Sequence, residues 1–278
     1  MAAVLLALAA SASWGVSDFL GGLKTRAGSV LTVLAVSQPV GLLLLGTIVL
    51  VRWHSPPHGL PILWAVLAGI GGAVGIGALY QGLAVGSMGI VAPITATSPL
   101  IPLTVGLAHG ERPGAVRLAG IGVALVGVAL AGREPGTGGA RRQLSAGAGL
   151  AILAAVFFGS SQVALQAAAH DDPYWATLIL RFASSVLILV VAARTRPGFG
   201  GRSLLPVLVA IGMLDSGATE LFAVATTKGL LSVVAVLGAL YPVMVALLAR
   251  LVLHERLTIV QRGGALAAVA GAAAISAG

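Results

Sequence analysis

Trp14-Gly15-Val16-Ser17 returns 144 residues later as Phe158-Gly159-Ser160-Ser161, and the residues around the two stretches return with it. Arg52, which closes an apolar run, is matched by Arg194. His109-Gly110-Glu111-Arg112 is matched by His254-Glu255-Arg256, and a run rich in Gly and Ala follows each. A correspondence held at one offset, to within two residues, does not arise from shared hydrophobicity alone. The chain reads as two copies of one unit.

The composition says what solvent the copies live in. Of the 278 residues, 58% are hydrophobic, 39 are Gly and only 9% are charged. An ordinary soluble domain is roughly a quarter charged, and a chain this poor in polar groups could not cover its own core with them. A water-soluble enzyme or a nucleic-acid-binding module is therefore excluded as the reading. In lipid, a spanning helix takes about 20 apolar residues. The net charge of +8 does not point to nucleic acid, because the 16 basic residues sit scattered in short connections rather than in the stripe such a partner needs. They read as topology signals and contacts to the lipid bilayer. The absence of Cys removes disulfides, thiolate nucleophiles and Cys-ligated metals. Residues 2–13 resemble a signal-peptide core, but no Lys/Arg region precedes them and the apolar stretch runs on to Leu23, so they read as a first membrane span.

Apolar runs between Gly, Pro and charge clusters give ten spans, at about 2–22, 30–51, 61–84, 88–108, 115–132, 147–168, 174–193, 204–226, 230–251 and 259–277. The polar stretch between spans 5 and 6, rich in Gly and Arg, reads as a linker. The expected organisation is a first five-helix repeat over 1–132, a linker over 133–146 and a second five-helix repeat over 147–278. Five is odd, so the second copy enters the membrane in the opposite sense. The fold class is thus an all-α integral membrane protein of ten transmembrane helices in two inverted five-helix repeats, an arrangement common among secondary transporters.

Two five-helix halves, Trp14-Gly15 in span 1, and in each half a Pro-bearing span followed by a Glu-Arg pair resemble the EamA family of the drug/metabolite transporter superfamily. The resemblance covers the whole chain. It implies a cavity between the halves lined mainly by spans 1, 3, 4, 6, 8 and 9, solutes drawn from amino acids, metabolites, sugars and drugs, and residence in a bacterial inner or plasma membrane with both termini inside. It does not name a solute.

Polar groups inside lipid are costly and need a reason. Ser11, Trp14 and Asp18 fall on one face of span 1, and Phe158, Gln162 and Gln166 on one face of span 6. A ring with a polar group one turn on, kept in both first spans, favours a cavity face over a snorkelling Asp18. Span 8 is the most polar, with Asp215 at its centre and Ser216, Thr219 and Glu220 around it. Two carboxyls at that depth are not both left charged and unpaired. Either one keeps a proton, or Arg181 of span 7 pairs with Asp215 or Glu220. Span 4 carries Pro93, Pro99 and Pro102 among Thr95, Thr97 and Ser98, and span 9 carries Pro242 beside Tyr241. Each Pro removes a helix hydrogen bond, and breaks at corresponding places in two halves mark a substrate site. Tyr80 and Gln81, near the end of span 3, add a ring and an amide. The expected lining is Trp14, Asp18, Tyr80, Gln81, Thr95, Ser98, Gln162, Asp215, Glu220 and Tyr241.

Other features read as structural. Gly71 and Gly75 permit close helix packing, and the glycines from Gly69 to Gly77 follow no strand and are not a phosphate loop. His254-Glu255 lacks the second His of a zinc helix, Lys24-Thr25 has no glycine ladder for ATP, and Glu111 and Glu255 fix helix ends by local charge pairing. No cofactor and no metal is expected. The connections after spans 1, 3, 5, 7 and 9 hold ten Lys/Arg and the others four, which places the termini outside by the positive-inside rule, against the family expectation. The functional expectation is secondary transport of a small-molecule solute by alternating access, driven by protons or running as exchange. A membrane-embedded enzyme acting on lipid is the rival, without a ligand cluster or nucleophile–base pair to support it. A purely structural subunit is another, at odds with acids at the centre of span 8.

Overall fold

A chain surrounded by acyl tails has to satisfy its backbone polar groups within each segment, which helices do. The computed structural model describes residues 1–25, 29–85, 91, 94–131, 141–198, 201, 204–253 and 258–277, and its regular structure is α-helix throughout. The helices are α1 (Ala2–Thr25), α2 (Val30–Arg52), α3 (Leu60–Val85), α4 (Leu100–Ala108), α5 (Ala115–Ala131), α6 (Arg141–Ala169), α7 (Pro173–Thr195), α8 (Leu205–Thr226), α9 (Leu231–Gly238), α10 (Tyr241–Val252) and α11 (Ile259–Ala277). Among the described residues, eight stretches are long and apolar enough to cross a membrane, and Ala115–Ala131 is a shorter apolar helix. The protein is a multi-pass membrane protein.

The expected boundaries need three corrections. Span 9 is two helices, α9 and α10, separated by a turn at Ala239 and Leu240. Span 4 is likewise interrupted by a turn at 96–99 before α4 begins. The break tightens the backbone into short turns, so the carbonyls of Thr95 and Ser98 accept from the N–H groups of Ser98 at 3.0 Å and Ile101 at 3.2 Å instead of standing free. Finally, α6 begins at Arg141, inside the stretch read as linker.

Helix ends follow local chemistry. Ser29 Oγ accepts from Leu31 N at 3.2 Å to start α2. Asp172 Oδ1 accepts from Tyr174 N at 2.8 Å and Trp175 N at 3.2 Å, with Pro173 in the first position of α7, where a missing N–H costs nothing. Both α2 and α7 end on a residue in the left-handed region, Trp53 at φ 50° and Arg196 at φ 47°, and these two stand 143 residues apart, the spacing of the repeat.

Packing runs between the copies more than within them. The main partners are α3 with α6, α5 with α11, α1 with α8, α2 with α7 and α8, and α3 with α7. Exchanging each span for its mate leaves this set unchanged. Ser13 Oγ donates to Leu214 O at 2.9 Å and Ser17 Oγ to Ile211 O at 3.2 Å; the partner number falls as the donor number rises, so α1 and α8 are antiparallel. Ser161, the mate of Ser17, donates to Ala68 O of α3 at 2.7 Å, and α3 meets α6 from there to Gly82 against Leu150, again antiparallel.

With lipid outside, small residues supply helix association by letting backbones approach. In α5 and α11, Gly120 and Gly127 face Gly271 and Gly264. A Cβ added at Gly127 would lie 2.7 Å from Ala268 Cα, and one at Gly271 would lie 2.8 Å from Ala124 Cα. Glu111 closes the connection after α4, but not through local charge pairing. Its Oε1 accepts from Leu231 N at 2.6 Å and its Oε2 from Ser232 N at 3.0 Å, capping α9 of the other copy. The second motif, His254-Glu255-Arg256, lies outside the described residues.

Candidate functional site

The repeated Trp/Phe-Gly pair acquires a physical role at the broken spans. Gly15 of α1 lies where a Cβ would stand 2.9 Å from Tyr241 O, the carbonyl just before Pro242. Gly159 of α6 lies against Ser98 O, just before Pro99, with Ile101 Cβ at 2.8 Å from the same notional atom. Ser98 and Tyr241 are 143 residues apart. The first helix of each copy is therefore pressed onto the backbone at the break in the other copy, and only Gly permits the approach.

Around this frame the ionisable groups gather where α2, α7 and α8 cross. Arg181 Nη1 pairs with Asp215 Oδ2 at 2.7 Å, which decides between the two pairings the sequence left open. The same nitrogen donates to Gln38 Oε1 at 2.9 Å, and Nη2 donates to Thr219 Oγ1 at 3.3 Å. Ser184 Oγ also donates to Gln38 Oε1 at 3.0 Å, while Thr219 passes its own hydrogen to Asp215 O at 2.9 Å. Gln38 and Arg181 are mates at the 143-residue spacing, so they meet where the two copies face each other. The Arg181 side chain is 5% exposed and that of Asp215 33%. A buried guanidinium thus has its charge balanced by a carboxylate that still reaches an opening.

Asp18 is exposed on α1. Trp14, one turn before it on the same face, packs on Phe222 of α8 with ring centroids 5.5 Å apart and near Gly238 of α9. That face of α1 is thereby turned toward α8, α9 and α10. Glu220 is buried at 8% exposure. Its Oε2 accepts a very short hydrogen bond from Thr177 Oγ1 of α7, and its Oε1 is buried with no partner. Glu220 does not join Arg181.

Other expected residues are placed apart from this group. Gln162, the mate of Asp18, is partly buried on α6 with its Oε1 unpartnered. Gln166 pairs with His170 at 2.7 Å at the helix end. Thr95 is buried and donates back to Val91 O at 3.0 Å; Ser98 is buried at the break. Gln81 is exposed one turn before the end of α3. Pro99 and Pro102 are buried against the bundle and Pro242 is partly buried. Pro93 and the Tyr80 side chain lie outside the described residues. Sequence reasoning missed Gln38, Thr177 and Ser184. The signal for Gln38 was available, an amide in the middle of an apolar span at the position where the other copy carries Arg181.

A second group closes one end of the bundle. Arg52, at the end of α2, lies 3.6 Å over the Tyr174 ring. Trp175 Nε1 donates to His54 O at 3.2 Å, and His54 Nδ1 is 3.7 Å from Asp172 Oδ2. His54 and Asp172 also line an open space of about 590 Å³, together with Ser55, Pro56, Pro57, His58, Pro61 and Asp171. At the other end of α2, Thr32 Oγ1 donates to Gly198 O at 3.0 Å; Thr32 is the mate of Trp175, so both ends of the α2–α7 pair are tied in the same way.

A polytopic helical membrane protein of two paired copies, with a polar centre between them, is the class this architecture defines. The chain belongs to the EamA-like transporter family, whose pattern matches it twice, over residues 1–133 and 145–277. A crystal structure of a protein 22% identical in sequence is similar with a TM-score of 0.82, covering 98% of this chain and 95% of that one, a likeness of fold. No curated protein matches the chain.

Proposed function

We propose that this protein is a secondary transporter of ten spans in two inverted five-helix repeats, moving a small organic solute across a cell membrane by alternating access between the repeats. The antiparallel packing of α1 on α8 and of α3 on α6 supports the inversion, because short connections make successive spans run in opposite directions. The observation that carries the reading is the pair of helix breaks at Ser98-Pro99 and Tyr241-Pro242, each gripped by the first helix of the other copy. A rocking movement of one copy changes both breaks together, and the solute sits between them. Trp14, Asp18, Tyr80, Gln81, Thr95, Ser98, Gln162, Asp215, Glu220 and Tyr241 form the lining. Aromatic faces hold the apolar body of the solute, and the carboxyls bind a cationic group or a proton. Transport is proton-coupled or runs as exchange.

The test is flux into proteoliposomes of the purified protein, with radiolabelled amino acids, amines, sugars and nucleosides tried in turn with and without a pH gradient. Saturable uptake of at least one of them, lowered at least tenfold in Asp18→Asn and in Trp14→Ala variants that still reconstitute, is expected. Absence of protein-dependent flux across the panel, with chemical turnover of the lipid in its place, would refute transport.

A further inference from the structure

Both acids of α8 are inside the bundle, but their surroundings differ. Asp215 holds the buried guanidinium of Arg181 at 2.7 Å, so protonating it would strand that cation among apolar helices. Glu220 has no ion pair among the described residues. The charged groups of the elements packed on α8 are, on α8 itself, Asp215, with Lys228 just beyond its end; on α7, Arg181, already bonded to Asp215, Gln38 and Thr219, Arg194, and Asp172 at the helix start; on α2, Arg52; and on α1, Asp18 and Lys24. Of the helices α6 and α9, which also pack on α8, α6 carries Arg141 and Arg142 at its start and is followed by the exposed His170, and α9 carries no titratable residue.

Hydrogen-bond accounting then bears on the state of Glu220. Thr177 has one hydroxyl hydrogen and two oxygens beside it, Tyr174 O at 3.0 Å and Glu220 Oε2. Spent on the carbonyl, as a helical Thr commonly spends it, that hydrogen leaves an ionised Glu220 facing a lone pair. Spent on Glu220, it still leaves Oε1 buried without a donor. A proton on Oε2 removes the competition for that hydrogen: Glu220 donates to Thr177 Oγ1, Thr177 donates to Tyr174 O, and Oε1 becomes the carbonyl oxygen of a neutral acid, which costs less to leave without a donor than a carboxylate oxygen.

Resting on the transport reading, we infer that Glu220, and not Asp215, is the proton-exchanging acid of the cycle, carrying a proton in this conformation and releasing it as the copies move. The O–H bond of the carboxyl breaks, the electron pair stays on Glu220, and the proton passes to water. The open space lined by His54 and Asp172 lies at the start of α7, the helix on which Thr177 stands five residues after Asp172. Asp215 with Arg181 instead keeps its charge through the cycle and ties α7 to α8.

The experiment is infrared spectroscopy of the full chain in dodecyl maltoside, a detergent with no carbonyl group, following the C=O stretch of protonated carboxylic acids across pH. Wild type shows such a band at neutral pH. The band is lost in Glu220→Gln and kept in Asp215→Asn, and it is kept but displaced in frequency in Thr177→Val, which retains the carboxyl and removes its partner. Thermal unfolding and gel filtration establish that each variant is folded, and the displacement of the band in Thr177→Val assigns it to Glu220 if Glu220→Gln is not. A wild type without the band, or a band that survives unchanged in folded Glu220→Gln or in Thr177→Val, overturns the inference. Solute flux in wild-type proteoliposomes is scored separately, so a protein with the band and no flux keeps the protonated Glu220 and loses the transporter.

Discussion

Gly127→Ala and Gly271→Ala put the two-fold relation of the copies to a quantitative test away from the polar centre. The residues are mates, 144 apart, and each would push a methyl group into the backbone of the opposing helix. At Gly127 the new Cβ would meet Ala268 Cα and Gly264 O, both at 2.7 Å; at Gly271 it would meet Ala124 Cα at 2.8 Å and Gly120 O at 2.6 Å. Backbone atoms cannot rotate aside, so α5 and α11 have to move apart by roughly 0.7 Å for an ordinary van der Waals contact. A gap of that size forfeits about a quarter to a half of each dispersion contact along the seam, and overpacking of this kind costs about 1–3 kcal/mol. Ala recovers about 1 kcal/mol of helix propensity over Gly, leaving a net loss of about 0–2 kcal/mol at either site.

Gly122 on α5 and Gly263 on α11 provide the controls, because a Cβ there meets nothing within 4 Å. Their Ala variants are expected to be neutral or stabilised by up to about 1 kcal/mol, so the two classes differ by about 2 kcal/mol. The double variant Gly127→Ala/Gly271→Ala should cost less than the sum, since helices already separated by one methyl admit the second more easily. The assay is unfolding in mixed micelles of increasing denaturing-detergent fraction, checked for reversibility so that the midpoint reports an equilibrium rather than a rate. A large loss for one mate and none for the other would refute the equivalence of the contacts. Two mates indistinguishable from Gly122→Ala would refute the close approach itself.

Arg181→Met should destabilise the protein by about 3 kcal/mol, the low end for breaking a buried pair because Asp215 is a third exposed, and Arg181→Met/Asp215→Leu should regain most of it in the same unfolding assay. Glu111→Ala removes both acceptors from the start of α9, a capping loss of about 1–2 kcal/mol, visible as faster amide exchange at Leu231 and Ser232 with the rest of the chain unchanged.

The duplicated plan was legible because it is written in local terms: apolar length, Gly and Pro punctuation, and a tetrapeptide that recurs at a fixed spacing. Even the broken spans were foreshadowed by Pro99 and Pro242. What the sequence could not give is partner identity across long separations. Glu111 looked like half of a local Glu-Arg pair, yet its ligands are amide groups 120 and 121 residues away. Arg181 had two acids five residues apart to choose from, and helical periodicity does not separate Asp215 from Glu220 on a broad polar face. Gln38 drew no attention because an amide beside Pro39 reads as a kink; only the crossing of α2 with α7 gives it a cation to hold. The Arg141 start of α6 was hidden in a stretch whose glycines outweigh its helix formers.

The copies share a scaffold but not a charge pattern. The serines at 17 and 161 make the same bond, the glycines at 15 and 159 grip the same kind of break, and the caps at Trp53 and Arg196 take the same conformation. At the centre the correspondence ends: Gln38 faces Arg181, Gln162 stands where the other copy has Asp18, and glycines at 72 and 77 of α3 occupy the places of Asp215 and Glu220 on α8. Packing contacts must be retained in both copies, because a two-fold interface uses each twice. Ionisable groups are under the opposite constraint. Duplicated carboxyls would face one another across the axis and raise the desolvation cost without adding a cation to offset it, so a single set, borne mainly by one copy, is what a membrane interior can accommodate. That asymmetry gives two otherwise equivalent halves distinct roles, with α3 as a smooth wall and α8 as the helix that carries charge.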